Sequence, residues 1–435
     1  MSLALSSATA FSQQAMTMDS CMSYAAEHSS EVELQRIEAR QSRVDYRSAV
    51  ASFLPTVSAA VNAQYGWGRG IDPETNTYNN VTTFNNYYQL NASLAVFDGF
   101  QTLNSFRKAR LARRNSQTAI AQARDAKAIE VMQCYVDAVY ARASIRLASE
   151  KLAESRRVLQ KTQRMFDLGS KARPDVAQAE AQVAEDDYNL THQHNEAVRT
   201  MEALKKAMNF PADSALSIDT AVAVLPALHA ADDASLIYES FSGVSPELRV
   251  AQLEAASSRY SYLASRADFM PRLTLNGGIE TSYYKNLSQG GAGEPFGSQF
   301  KNNRGEYLSL TLSIPIFQPS TWRSVRRAKS DWQAALVRLE DTRRKLRNDI
   351  RQAVLDRDGY AKEMAQMDRK AASDSLAHHL DLRKYEEGML STFELRASSQ
   401  KLLESRIKLL QMRLLYGMKQ RLVDYYKGVP LVSAQ

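Results

Sequence analysis

The chain has 435 residues, of which 24% are charged, and its formal net charge is +7. This composition excludes a disordered or fibrous chain, and the length is sufficient to bury large cores. No run of about 18 apolar residues occurs, so the sequence contains no transmembrane helix. Lys and Arg are spread along the predicted helices rather than clustered with aromatic residues, which favours a solvated basic surface over nucleic-acid binding.

The first residues resemble the end of a secretory leader. Residues 3–11 are mostly small and apolar, and Ala8-Thr9-Ala10 has the small-residue pattern of a cleavage site. This pattern indicates export.

The two cysteines, Cys21 and Cys134, are too few for a disulfide scaffold and lack the spacing of metal ligands. Helix geometry predicts that they lie at similar heights, so a disulfide is conceivable in an oxidising compartment. We predict instead two unpaired and partly buried thiols.

The first half of the chain begins with a helix and continues with a β-hairpin. The helical pattern starts after Thr17, which can cap a helix, and ends at Pro55. The following residues alternate between apolar and polar, which predicts a strand with one apolar face. Residues 66–86 are rich in Gly, Asn and Thr and are interpreted as a loop. A second alternating strand then completes a hairpin over residues 56–98.

Two long helices follow this hairpin. Residues 99–168 contain no proline and no internal glycine, so one helix there would be about 105 Å long. A second helix is predicted over 174–209, and Pro211 ends it. Sustained heptad spacing predicts left-handed coiled-coil packing of this second helix. Its heptad positions are Val176, Val183, Leu190, Ala197 and Leu204.

The second half of the chain repeats the first. Phe53-Leu54-Pro55 returns as Phe269-Met270-Pro271, with Pro55 and Pro271 separated by 216 positions. We therefore predict a first structural repeat over 16–210 and a second over 235–427. The second repeat comprises a helix, a hairpin over 272–317, and long helices over 318–387 and 393–427. Residues 211–234 form a linker, and residues 428–435 form a tail.

The strands favour a membrane β-barrel. About 10–13 residues per strand matches the length needed to cross a bilayer at a tilt. A soluble β-sandwich would also have one apolar face, but its core would not need such long helices. Aromatic residues mark one end of the predicted apolar band at Tyr65, Trp67, Tyr87, Tyr88, Tyr283, Tyr284 and Tyr307, and the other end at Phe97 and Phe317. The leucines predicted to face lipid are Leu90, Leu94, Leu275, Leu308 and Leu312.

Four strands per chain are too few to close such a barrel, because single-chain barrels begin at about eight strands. An open strand edge in lipid would leave backbone groups unpaired. We therefore expect the chain to oligomerise.

Several motifs, in their order and duplication, give the sequence a family resemblance. They are Met18-Asp19-Ser20-Cys21 through Ser30-Glu31, Phe53-Leu54-Pro55, Phe269-Met270-Pro271, Leu94 to Gly99, Leu310 to Phe317, Gly169 to Ala179, Gly388 to Ser398, and Met208-Asn209-Phe210-Pro211. The chain resembles the TolC family of outer-membrane efflux proteins. It departs from the family pattern at Phe393-Glu394 and at Gln318-Pro319. The resemblance implies a mainly α fold with a membrane β-barrel. In that fold, a duplicated coiled-coil α-helical tunnel and four β-strands per chain close as a trimeric 12-stranded barrel.

The resemblance also implies a function and partners. The chain would be a passive outer-membrane exit duct of a tripartite efflux or type I secretion system, with its tunnel in the periplasm. Its partners would be two further copies in a homotrimer, a periplasmic adaptor protein, an inner-membrane pump and outer-membrane lipid, with no nucleic acid. The alternative is a soluble coiled-coil scaffold with no channel activity.

The glycine turns between the paired long helices are the predicted gate. Asp175 and Glu394 each lie six positions after a turn glycine, Gly169 and Gly388. In a trimer they would supply six carboxylates around one constriction, which would attract cations. The resemblance implies that Asp175 bonds Tyr385 and holds the tunnel shut. The alternative is that both acids simply cap the N-termini of their helices.

No enzyme motif is present, and we predict no catalysis, no cofactor and no metal site. His192 and His194 lie about 200° apart on a helix and cannot chelate one metal together. His378 and His379 are expected on the surface.

Overall fold

The structure, a computed structural model, describes residues 15–71, 76–220, 232–288 and 294–432. The chain divides into two compact units. Unit 1 consists of the residues up to Glu38, Gln117–Val250 and those from Glu340 onward, and unit 2 consists of Ala39–Ser116 and Ala251–Leu339.

The described residues form long helices and one antiparallel sheet, in agreement with the predicted mainly α fold. The helices are α1 (Met18–His28), α2 (Ser30–Ala51), α3 (Gln101–Asp167), α4 (Arg173–Met208), α5 (Ala234–Ser242), α6 (Pro246–Arg266), α7 (Phe296–Asn302), α8 (Pro319–Glu386) and α9 (Thr392–Tyr426). The strands are β1 (Thr56–Ile71), β2 (Tyr78–Phe97), β3 (Arg272–Asn286) and β4 (Gly305–Ser313). Among these described helices, none has both the length and the apolar character required to span a membrane.

The sheet of unit 2 has the strand order β1-β2-β3-β4, and every neighbouring pair is antiparallel. The predicted loop over 66–86 is wrong, because β1 continues to Ile71 and β2 begins at Tyr78. The polar residues that indicated a loop pair across the hairpin instead, as in Trp67 opposite Thr82. Backbone pairing between two long strands overrides the turn-forming composition of this segment.

The register places the apolar residues of all four strands on one face. Leu94 lies opposite Leu275, which in turn lies opposite Leu310 on β4. Residues directly opposite one another in an antiparallel pair share a face, and residues two apart along a strand share it too. All five leucines predicted to face lipid therefore lie on the same face. We call it the apolar face, and the opposite side the polar face.

A short helix, α7, lies between β3 and β4. Strand β4 pairs only with the first part of β3, and α7 packs beside the remainder. The Gln299 amide donates to the backbone carbonyl of Tyr284 at 2.9 Å, and the Asn303 amide donates to that of Ser282 at 2.9 Å. These side chains supply hydrogen bonds that a longer β4 would otherwise provide.

Four helical segments of unit 2 contact one another in the order of the strands that they adjoin. Tyr46 of α2 packs on Phe106 of α3, with ring centroids 5.6 Å apart. The Arg107 guanidinium of α3 lies 5.9 Å from the ring of Tyr260 on α6. The α6–α8 contact is Tyr262 against Trp332, with centroids 5.8 Å apart. The strand order β1-β2-β3-β4 thus continues as a helical wall in the order α2-α3-α6-α8.

Unit 1 has an apolar core built from α1, α3, α4 and α9. Its fully buried members include Cys21, Met22 and Leu204, while Cys134 is partly buried against the same cluster. Both thiols are free, as predicted, and burial raises the pKa of the Cys21 thiol to about 12. A thiol with so high a pKa is unreactive at neutral pH.

Only the ends of the predicted linker 211–234 are described. At its start, Ile218 forms a parallel bridge with Met16. At its end, Asp232 accepts hydrogen bonds from the buried Arg357 of α8 and, at 2.7 Å, from Lys427. Pro226 and its alanine-rich neighbours lie outside the described residues.

Candidate functional site

The apolar face of the sheet exposes large hydrophobic side chains. Leu308 is 78% exposed and Leu312 is 59% exposed, and Leu90 is also exposed. Leu94 and Leu275, on the inner strands, are half-buried between their neighbours. A continuous exposed apolar surface of this kind is typical of a membrane or protein contact.

The polar face carries side-chain hydrogen bonds that cross the strands. The Tyr307 hydroxyl of β4 donates to the Asn91 side chain of β2 at 2.8 Å, passing over β3 at Gly278. The Ser93 hydroxyl donates to Asn276 at 2.8 Å. A Cβ added at Gly278 would lie 2.7 Å from both the Asn91 side-chain oxygen and the Tyr307 ring. Glycine at this position therefore provides the space that the Tyr307–Asn91 bond requires.

The predicted aromatic band is divided between the two faces. The register places Tyr65, Trp67, Tyr88 and Tyr283 on the apolar face. It places Tyr87, Tyr284 and Tyr307 on the polar face. The band prediction is therefore wrong for these last three residues, because clustering along the sequence does not distinguish odd from even positions of a strand.

The aromatic residues of the apolar face pack with helix α7. Phe300 packs edge-on against Tyr88 at a centroid distance of 5.2 Å, and Phe296 packs against Tyr283 at 5.3 Å. Tyr65 joins the same group through Phe84 at 4.8 Å. Because aromatic pairs in this geometry stabilise one another, α7 is held on the sheet at the level of the hairpin loops.

The two predicted turn glycines have the backbone conformation that favours glycine. Gly169 has a φ of 76° and Gly388 a φ of 79°, and each follows the end of a long helix. A left-handed glycine after the last helical residue is the usual way to end a helix. Since Gly169 and Gly388 play the same role in the two halves of the chain, both turns are built alike.

Asp175 and Glu394 occupy equivalent capping positions after these turns. The Asp175 carboxylate accepts from the backbone N–H of Ala172 at 3.1 Å, and the Glu394 carboxylate accepts from that of Ser391 at 3.0 Å. Hydrogen bonds from the Ser391 side chain and backbone hold the pKa of Glu394 below its usual value. Both acids therefore stabilise the N-terminus of the helix that carries them.

The pairing of Asp175 with Tyr385 that the resemblance implied is wrong. The buried Tyr385 hydroxyl instead shares a hydrogen bond with Thr162 of α3. Asp175 accepts from the Thr392 hydroxyl of α9 at 3.3 Å. Two separate bonds thus join the first helix pair, α3 and α4, to the second pair, α8 and α9, close to the turns.

A buried polar cluster lies further along the same helices and was not predicted. It comprises Lys151, Glu154 and Ser155 of α3, Asp186 of α4, His378 of α8 and Ser399 of α9, and we call it the four-helix polar cluster. The prediction that His378 lies on the surface is wrong, since only 6% of the residue is exposed, whereas His379 is exposed as expected.

Glu154 is the centre of this cluster. It accepts from the Ser399 hydroxyl at 2.6 Å, and the His378 imidazole lies 3.2 Å from its other oxygen. Ser399 in turn accepts from Lys151, and Ser155 donates to Asp186. Burial by itself would raise the pKa of Glu154, but the His378 and Ser399 hydrogen bonds outweigh it and hold that pKa below its usual value.

The sequence signal for this cluster is a polar residue, Ser399, at a heptad position of α9. Ser399 lies midway between the core positions Leu395 and Leu402, where an apolar residue would ordinarily pack. A polar residue at such a position must find a buried partner, but the sequence does not reveal which helix supplies it.

The described residues contain no group of three or more His, Cys, Asp or Glu side chains arranged to hold a metal ion.

Comparison with known proteins agrees with this architecture. A sequence model of the family described as outer membrane efflux protein matches residues 22–209 and 238–421. No curated protein matches the sequence. Among solved structures, the outer-membrane channel OprN is similar over 95% of this chain and 90% of its own, with 18% identity and a TM-score of 0.81. The outer membrane protein VceC of Vibrio cholerae is similar over 94% of this chain and 96% of its own, with 14% identity and a TM-score of 0.80. The CmeC outer membrane channel of Campylobacter jejuni is similar over 94% of this chain and 85% of its own, with 15% identity and a TM-score of 0.78.

Proposed function

This chain belongs to the outer membrane efflux protein family, and we propose that three copies assemble into one passive exit duct. It is an outer-membrane channel protein of an efflux system, and its family consists of transport conduits rather than enzymes.

The two-faced sheet with two edge strands is the observation that carries the proposal. Within the described chain, β1 pairs only with β2, and β4 pairs only with β3. Unpaired backbone groups at these edges are costly in lipid, so another copy must cover them. Because β1 and β4 run in opposite directions, β4 of one copy can pair antiparallel with β1 of the next.

Three copies would supply twelve strands, which is within the range of membrane barrels. The apolar face, with Leu90, Leu94, Leu275, Leu308 and Leu312, would then contact lipid. The polar face, with Tyr307 and Asn91, would line a water-filled interior. In this arrangement lipid would cover the exposed apolar surface of the sheet, and neighbouring copies would pair with its two open edges.

We place the gate at the turns of Gly169 and Gly388. The two bonds that join the helix pairs near these turns, Thr162–Tyr385 and Asp175–Thr392, support this placement. Separation of the helix pairs would break both bonds, which makes them suitable for holding a closed state. A periplasmic adaptor and an inner-membrane pump are the expected partners of this end, as the family membership implies.

The assembly and its activity can be tested on the full chain. We expect detergent-extracted protein from the outer-membrane fraction to have the mass of a trimer by light scattering. The purified trimer should conduct ions in planar lipid bilayers. A monomer that stays soluble without detergent and does not conduct would support the scaffold alternative and contradict the proposal.

A further inference from the structure

Positive charge is concentrated in the helical wall of unit 2, so the interpretation that Lys and Arg are spread along the helices is wrong for this part of the chain. Four segments form this wall, residues 39–51 of α2, 101–116 of α3, 251–266 of α6 and 319–339 of α8, and we call them the basic collar. They hold fifteen Lys and Arg residues but only three acidic residues, Asp45, Glu254 and Asp331, which leaves an excess of twelve positive charges. The rest of the chain has forty basic and 45 acidic residues and is therefore net negative.

The basic side chains of the collar are all exposed. They are Arg40, Arg43, Arg47, Arg107, Lys108, Arg110, Arg113, Arg114, Arg259, Arg266, Arg323, Arg326, Arg327, Lys329 and Arg338. Some stack on aromatic rings of the wall, with Arg113 5.1 Å from Tyr46 and Arg266 5.8 Å from Tyr262. Such stacking orients a guanidinium but leaves its charge uncompensated. Three carboxylates cannot neutralise fifteen cations, so the collar retains a large positive charge.

We propose that the basic collar makes the duct selective for anions and that its exported solutes are negatively charged. This inference rests on the trimeric duct proposed above. Three copies would surround the conduit with an excess of thirty-six positive charges at the level of the collar. A conduit that is lined by charges of one sign and has low-dielectric walls raises the local concentration of ions of the opposite sign.

The turn regions near Gly169 and Gly388 do not offset the positive charge of the collar. The turn regions, residues 164–180 and 381–396, hold six basic and seven acidic side chains together. They are therefore nearly neutral, even though they include the carboxylates of Asp175 and Glu394. The collar therefore carries a much larger net charge than the turn regions, and we expect it to determine which ions the duct favours.

Reversal potentials of single trimers in planar bilayers, measured under a potassium chloride gradient, test this inference. We expect chloride to be at least about threefold more permeant than potassium at 0.1 M salt, because the Debye length there is about 10 Å. This preference should fade at 1 M salt, where the Debye length is about 3 Å. A variant that combines Lys108→Glu, Arg110→Glu, Arg323→Glu and Arg326→Glu should lose the preference for chloride.

A charge-preserving variant is the matched control. Lys108→Arg, Arg110→Lys, Arg323→Lys and Arg326→Lys change the same four side chains without changing the charge, so chloride preference should be retained. Wild-type channels that conduct but prefer potassium would overturn the inference and leave the duct standing. Loss of chloride preference in the charge-preserving variant would also overturn it. Wild-type protein that never conducts would overturn the duct and the inference together.

Discussion

Neighbouring residues of β4 have opposite environments, because successive side chains of a strand point to opposite faces. Leu312 pairs with Leu273 on the apolar face, whereas Ser313 pairs with Arg272 on the polar face. In the proposed barrel the side chain of Leu312 would contact lipid and that of Ser313 would not. Introducing the same residue, arginine, at each position can therefore test the assignment of the faces.

Leu312→Arg should destabilise the assembled barrel, but by less than the about 2–4 kcal/mol expected at the middle of the bilayer, because Leu312 lies one residue from the end of β4. Ser313→Arg should have a much smaller effect, because its side chain would point into water. Trimer yield and the urea midpoint of the assembled protein in detergent or liposomes would measure the difference. Equal assembly of both variants would contradict the assignment.

Glu154 makes the four-helix polar cluster sensitive to acid. Its lowered pKa means that the folded protein holds the carboxylate ionised more readily than the unfolded chain does. This stability is fully present above the unfolded value, about 4.3, and is lost as the pH falls through the lower folded pKa. Protonation removes the charge that Lys151 and His378 face.

Glu154→Gln should therefore cost about 1–3 kcal/mol at neutral pH, and the cost should disappear below the folded pKa, where wild-type Glu154 is also neutral. Denaturation measured from pH 7 to pH 3 would show the unfolding free energies of the wild type and of Glu154→Gln becoming equal as the pH falls. Glu150→Gln on the same helix is the control, since its exposed contact with Arg406 at 3.4 Å should contribute little at any pH. A difference in unfolding free energy between the wild type and Glu154→Gln that does not change with pH would contradict this explanation.

At the level of secondary-structure elements, glycine has two different roles in the second half of the chain. Gly388 has a φ of 79° and ends a long helix, whereas Gly359 lies inside α8 with nothing within 4 Å of an added Cβ. The first position requires a left-handed backbone, and the second does not.

Gly388→Ala should destabilise the turn by about 1 kcal/mol, because a Cβ is strained in that conformation. Gly359→Ala should stabilise α8 by about 0.5–1 kcal/mol, since alanine favours the helix. Thermal unfolding of both variants would show shifts of opposite sign. Shifts of the same sign would contradict the assignment of Gly388 to a turn that only glycine forms easily.

The periodic elements were predictable because their signals are long. The absence of proline and glycine indicated the long helix after the first hairpin, heptad spacing indicated the helix that follows it, and alternation placed Leu90 and Leu312 on one face. The extent of β1 and β2 was not predictable, since the partner strand decides whether polar residues near Gly66 pair or form a loop. The partners of Tyr385 and His378 were not predictable for the same reason, because they lie on other helices. Thr162 is 223 positions from Tyr385 along the chain, and His378 contacts Glu154 of α3 and Ser398 of α9.

At the scale of the whole molecule, the gate prediction depends on how two helix pairs are held together. Thr162–Tyr385 joins α3 to α8, and Asp175–Thr392 joins α4 to α9. The two bonds use different residues but connect the same two helix pairs. Their combined loss should therefore weaken a closed state more than either single loss does.

Tyr385→Phe combined with Asp175→Ala should raise the single-channel conductance of the trimer in planar bilayers. The phenylalanine keeps the buried ring of Tyr385 and removes only its hydroxyl, while the alanine removes the bond to Thr392 together with the cap. Glu394→Gln is the control, because the structure gives Glu394 only capping bonds within its own turn, to Ser391. It should lower stability slightly and conduct as the wild type does. If the double variant also loses stability but conducts as before, Asp175 and Tyr385 serve only to build the turn, and the constriction must lie elsewhere along the conduit.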